Sequence, residues 1–121
     1  MKFKELTESE ENLANIIWDN EPVKSSELVK MCEEKFGWKK STTYTMLKRI
    51  EEKSVFKNED SLVKSLISKN DYNSKKSKSF LEENFGGSLP KFLTAFSKHN
   101  KLSKDEINEL QKLIDEHKEV E

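Results

Sequence analysis

No stretch of this 121-residue chain approaches the ~20 apolar residues that cross a bilayer. Met1-Lys2-Phe3-Lys4-Glu5 also lacks the apolar run of a signal peptide, so the expected location is cytoplasmic, without membrane insertion. Cysteine occurs once, at Cys32, which excludes an internal disulfide framework and fits a reducing compartment. On the apolar stripe of a helix, Cys32 reads as a small core residue rather than a redox switch. The two histidines, His99 and His117, have no cysteine or carboxylate partner at metal-ligand spacing and suit surface or hinge positions. Glycines number three, and no P-loop, glycine-rich nucleotide loop or Ser/His/Asp set can be assembled. The expectation is a non-enzyme with no catalytic residues, cofactor or metal.

What the chain does have is charge, at 37% of residues against 33% apolar. So short and polar a chain has a limited core, and association would help it. Net charge is only −1, but the distribution is uneven. Residues 1–35 carry 5 basic against 9 acidic side chains, residues 36–80 carry 11 against 5, and residues 81–121 carry 6 against 9. A basic segment between acidic ones is the electrostatic footprint of a nucleic-acid binder. Chance fluctuation along a polar chain would look the same, so charge opens the hypothesis without settling it.

Thr7-Glu8-Ser9-Glu10 is a capping box, and the helix after it carries Leu13, Ile16 and Ile17 on one stripe, with Trp18 beside it. Pro22 marks its end. A second helix is expected from Ser25 or Ser26, burying Leu28, Val29, Cys32 and Phe36 and stopping at Gly37 as a left-handed cap. A third runs from about Lys40 to Lys53, because Thr43, Met46, Leu47 and Ile50 recur at helical spacing. Its opposite face holds Ser41, Thr42, Tyr44, Thr45, Lys48, Arg49 and Glu52. Short hydroxyls and an aromatic, followed by basic groups, suit base edges flanked by phosphates. Taken alone, that face is equally an ordinary solvated helix surface. Trp18 and Trp38 sit beside core stripes, which favours packing over base stacking.

Val55-Phe56-Lys57, a polar Asn58-Glu59-Asp60-Ser61, and Leu62 to Ile67 predict a hairpin. Three short helices followed by a hairpin give the winged-helix order. The fold class expected is mainly α: a winged helix-turn-helix with a two- or three-stranded wing sheet, then three helices. The wing would lie on the DNA backbone beside the groove holding the third helix. After it, Ser68-x-x-Asp71 caps a long helix with Tyr72, Phe80, Leu81 and Phe85, ended by Gly86-Gly87. Leu89, Phe92, Leu93 and Phe96 form another stripe. Ser103-x-x-Glu106 is a second capping box, stapled by Leu102 and Ile107, and the last helix shows Ile107, Leu110, Leu113 and Ile114. These three helices total roughly fifty residues, too few for a core of their own. A two-fold dimer would solve that, with Tyr72, Phe80, Leu89, Phe92, Leu93, Phe96, Ile107, Leu110 and Ile114 at its contact. Folding back on the first domain is the alternative. The expected domains are residues 1–70, DNA-binding, and 71–121, dimerising.

These motifs together resemble the BlaI/MecI/CopY family of bacterial repressors, which includes the penicillinase and methicillin-resistance repressors. The matching residues run nearly end to end: Leu6-Thr7, Ile16-Ile17-Trp18, then Trp38 leading into Ser41 to Lys53. Ser79-Phe80-Leu81, Phe85-Gly86-Gly87-Ser88-Leu89, and Leu102 to Leu110 continue them. Each is weak, but their order and spacing are specific. The resemblance implies a winged helix, a three-helix dimerisation domain and a palindromic DNA operator bound by a homodimer. It assigns DNA contact to Ser41, Thr42, Tyr44, Thr45 and Arg49, with base discrimination on the last four and Lys48 at the backbone, and implies no catalysis.

Three departures matter. Copper-responsive members carry closely spaced C-terminal cysteines, and none follows Leu102 here, so copper sensing is not expected. The β-lactam-responsive members are cut at an Asn-Phe bond, where this chain has Ala95-Phe96. That pair is the candidate cleavage site, with a membrane sensor-protease as the implied partner and antibiotic-resistance genes as the implied target. A different inducing signal, including a ligand near Tyr72, Phe92 or Phe96, is the alternative. Finally, the wing is short, with Glu59-Asp60 at its expected tip, which would leave phosphate contact to Lys57 and Lys64. The rival function is a winged-helix protein–protein adaptor.

Overall fold

The computed structural model describes residues 3–120, with side chains through residue 119. Six helices and three strands follow in the order α1 (Glu8–Asn20), β1 (Val23–Lys24), α2 (Ser25–Phe36), α3 (Lys40–Glu52), β2 (Phe56–Glu59), β3 (Leu62–Ser65), α4 (Lys69–Phe85), α5 (Leu89–Ser97) and α6 (Lys104–Val120). Compact packing divides the chain into units of residues 1–79 and 80–121, later than the 70/71 boundary expected.

In the first unit the capping box of α1 is closed. Thr7 Oγ1 accepts from the Glu10 amide at 3.3 Å, and the Glu10 carboxylate accepts from the Thr7 amide at 2.9 Å. Gly37 ends α2 at φ 69°, a left-handed conformation that strains residues with a Cβ, and its amide reaches back to Glu33 O at 2.9 Å. The sheet is antiparallel in the order β1-β3-β2. Val63 of the central strand pairs with Val23 on one side and Asn58 on the other. A two-residue β1 is too short to leave an alternating pattern, so its pairing was not readable beforehand.

Leu13, Ala14, Ile17, Leu28, Cys32, Leu47, Ile50, Phe56 and Val63 make one buried core. Val29, Phe36 and Met46 are only half-buried, and Phe36 packs on Trp38 with ring centroids 5.0 Å apart. Trp18 packs on Phe56 and Tyr72 at 5.0 and 5.7 Å and donates its indole N–H to Ile67 O at 3.1 Å. Both tryptophans therefore pack, as expected. Burial pushes the Cys32 thiol pKa up, keeping it protonated and inert.

Tyr72 corrects the expected dimer contact. It is wholly buried in this first core, and its hydroxyl accepts from the Leu6 amide at 2.8 Å. The opening turns of α4 thus belong with the N-terminal unit, which is why the boundary moves. Lys76, one turn on, pairs with Glu11 at 3.0 Å.

The second unit contains the end of α4, with α5 and α6. Ser88 caps α5 by accepting from the Lys91 amide at 3.1 Å. Ser103 and Glu106 close the second capping box reciprocally, each bond 3.1 Å. Phe80, Phe85, Phe92 and Phe96 form a chain of ring contacts with centroids 5.5–6.2 Å apart. Even so, none of the described side chains in this unit is fully buried.

Candidate nucleic-acid interface

The site is assembled from α3 and the hairpin that follows it. Thr43, Leu47 and Ile50 anchor α3 in the core, with Met46 packed against it. Helical spacing then turns Ser41, Tyr44, Thr45, Lys48 and Arg49 outward, while Thr42 is half-buried at the rim. Six of the expected site residues thus share one helix and its outward side.

Tyr44 is 37% exposed, and its hydroxyl donates to Ser25 Oγ at 3.4 Å, a long bond. Ser25 is buried at 4% exposure in the first turn of α2, and its amide donates to Ser61 O at 2.9 Å. Sequence reasoning missed this serine as a site residue, because its partners lie far along the chain.

The wing stands beside α3. The Asn58 amide donates to Glu51 Oε2 at 3.3 Å, and Tyr44, Leu47, Lys48, Glu51, Glu52 and Asn58 line an open cleft of about 530 Å³. Lys57 and Lys64 are cross-strand partners and share the exposed face of the hairpin. The tip differs from expectation. Asp60 and Ser61, at φ 53° and 64°, occupy the two central positions of a type I′ turn. Glu59 consequently stays in β2, opposite Leu62, and its carboxylate pairs with Lys57 at 2.7 Å. That bond raises the pKa of Lys57 and lowers that of Glu59. One of the two wing lysines is therefore engaged internally, and only Asp60 is an acid at the turn.

The face has hydrogen-bonding hydroxyls, one aromatic ring and paired basic groups, mounted on a helix that projects from a packed core. Among the described residues, no cluster of His, Cys, Asp and Glu could hold a metal ion, and no helix is long and apolar enough to cross a membrane. A family model described as penicillinase repressor matches residues 6–116. The chain belongs to the penicillinase repressor family. It is similar to the penicillinase repressor of Bacillus licheniformis, at 28% identity over 97% of this chain and 94% of the relative. The Staphylococcus aureus penicillinase repressor is 27% identical over 95% and 94% of the two chains. The methicillin resistance regulatory protein MecI of Mammaliicoccus sciuri is 25% identical over 93% and 95%. Membership makes this a repressor of transcription rather than an enzyme. The winged-helix order of three helices and a hairpin, followed by a helical second unit, is the architecture observed.

The residues expected at a dimer contact fall outside this interface. Phe80, Leu89, Phe96, Ile107 and Ile114 are exposed by 42–53%, and Phe92, Leu93 and Leu110 are half-buried. Ala95 and Phe96, the candidate cleavage pair, are both exposed on α5.

Proposed function

We propose that the protein represses transcription as a homodimer, each subunit placing α3 in the major groove of one half of a palindromic operator. The observation that carries this reading is the outward side of α3, hydroxyl-rich and basic and flanked by the Lys57–Lys64 wing, in a member of a repressor family. Thr42, Tyr44, Thr45 and Arg49 read bases, with Ser41 at the helix start, and Lys48, Lys57 and Lys64 meet phosphates. Dimerisation occurs through residues 80–121, whose exposed apolar side chains would cost stability in a monomer. Release acts on the same unit, either by a cut at Ala95-Phe96 by a membrane sensor-protease or by another inducing signal; antibiotic-resistance genes are the proposed target. The adaptor reading is less well supported, because it gives no role to the exposed Lys48 and Arg49.

Enrichment of a bound duplex from a random pool, followed by gel shift, tests the reading. Arg49→Ala should lose ~1–3 kcal/mol on the enriched duplex and far less on random DNA. Lys64→Ala should weaken both alike and lower the salt slope of the dimer by about two, roughly one for each subunit. Equal loss on both duplexes for Arg49→Ala would remove it from the base readers, and no DNA binding at all would leave the adaptor.

A further inference from the structure

We propose that Tyr44 reads thymine through its ring, by contact with the 5-methyl group, because its hydroxyl proton is committed to Ser25. This rests on the DNA-binding reading above and assigns the chemistry of one contact within it. A tyrosine in a reading helix has two options. Its hydroxyl can hydrogen-bond a base edge or phosphate, or its ring can cover an apolar group.

Here the hydroxyl donates to Ser25 Oγ in a long, part-buried bond of 3.4 Å, and Ser25 is itself 4% exposed, so the proton of the Tyr44 hydroxyl is committed to the protein rather than to a base edge. Turning the hydroxyl towards DNA would leave a buried serine oxygen without this partner. Ser25 is itself held by its own amide bond to Ser61 O in the wing turn. It therefore ties the reading helix and the wing to the start of α2, and acts as a positioning residue for Tyr44. Tyr44 is 37% exposed as a residue, and with its hydroxyl proton held by Ser25 the ring is the part assigned to ligand contact. In the major groove the thymine methyl is the apolar group that base edges offer.

The test uses the full-length protein and the duplex enriched from a random pool, resynthesised with deoxyuridine in place of single thymines. Removing the contacted methyl should weaken binding about fourfold, the worth of burying one carbon. Tyr44→Phe should stay within about threefold of the parent protein and keep the thymine preference. Tyr44→Ala should bind thymine and deoxyuridine duplexes equally, with its fold checked by circular dichroism. A tenfold or greater loss in Tyr44→Phe would assign reading to the hydroxyl and overturn the proposal. So would a thymine preference that survives in Tyr44→Ala, or one absent from the parent protein. Failure of the DNA-binding reading is distinguishable, since no duplex would then be enriched, and this proposal would fall with it.

Discussion

Tyr72→Phe separates two roles that one residue cannot hold together. The substitution keeps the ring, so no cavity opens beside Trp18 and Phe3, 5.7 and 5.6 Å away. It removes only the oxygen that accepts from the Leu6 amide at 2.8 Å. Leu6 and Tyr72 are 3% and 0% exposed, so water cannot replace that acceptor. Leaving a buried amide unsatisfied costs ~1–3 kcal/mol. With an m-value of about 1 kcal/mol/M in urea, the unfolding midpoint should fall by about 1–3 M. The thermal midpoint of a unit this small should drop by roughly 4–8 °C per kcal/mol. Urea unfolding by circular dichroism, at one fixed protein concentration, reads the first effect. Sedimentation equilibrium of the same variant should show self-association unchanged. A stability loss under about 0.5 kcal/mol, or a weakened dimer with unchanged unfolding, would refute the placement of Tyr72 in the first core.

Lys53→Met strands the Glu10 carboxylate, whose side chain is only 3% exposed, and should destabilise the fold by about 3 kcal/mol in urea unfolding at pH 7. Burial raises the Glu10 pKa, but the Lys53 ammonium and the Thr7 donors lower it further, to below its usual 4.5. Its contribution is therefore present above the usual 4.5 and is lost as pH falls through the lower folded value; Glu10→Gln should flatten the fall in stability below that pH. Glu59→Gln releases Lys57 and should tighten binding to every DNA sequence, with a salt slope of the dimer steeper by up to about two, roughly one for each subunit, measured by gel shift. A slope that stays at the roughly −4 of Lys48 and Lys64 alone would mean that Lys57 does not meet phosphate. Phe92→Ala removes the ring that touches Phe80, Phe85 and Phe96, and should raise the dimer dissociation constant at least ~10-fold by sedimentation. Unaltered association would place the dimer contact elsewhere.

Local signals carried much of this fold. Capping boxes at Thr7 and Ser103, the Gly37 stop and the Thr43–Ile50 stripe are short-range patterns, each with its own hydrogen bond or packing face. The outward residues of α3 were legible for the same reason, since fixing the buried side of a helix fixes the other. Contacts between distant residues were not legible. The Tyr72 hydroxyl meets Leu6 across 66 positions, and the two-residue β1 exists only because β3 pairs with it. A hydrophobic stripe on α4 cannot say which of its turns pack on which unit, so the pattern alone groups Tyr72 with Phe80. The wing tip turned on a single register choice. Placing Asp60 and Ser61 at the turn moved Glu59 into a strand and gave it Lys57 as a partner.

That pairing bears on how a chain of net charge −1 can bind a polyanion. Four acids in the first unit are tied up internally: Glu10 with Lys53, Glu11 with Lys76, Glu59 with Lys57, and Glu21 accepting from the Ser65 amide and hydroxyl at 2.8 and 2.7 Å. Among the described residues, Lys48, Arg49 and Lys64 make no ion pair. These three exposed cations are thus available on the proposed reading face, and the net charge misleads because it averages over a chain whose basic groups are concentrated in residues 36–80, at 11 against 5 acids. Lys48 and Lys64 from each subunit would give roughly four phosphate contacts per dimer, and so a slope of log affinity against log salt near −4. The proposed phosphate contact of Lys57 requires it to leave Glu59 on binding, which supplies two further contacts per dimer and steepens the slope to about −5. A slope shallower than about −2 would mean that the wing stands clear of the backbone, leaving α3 to hold DNA alone.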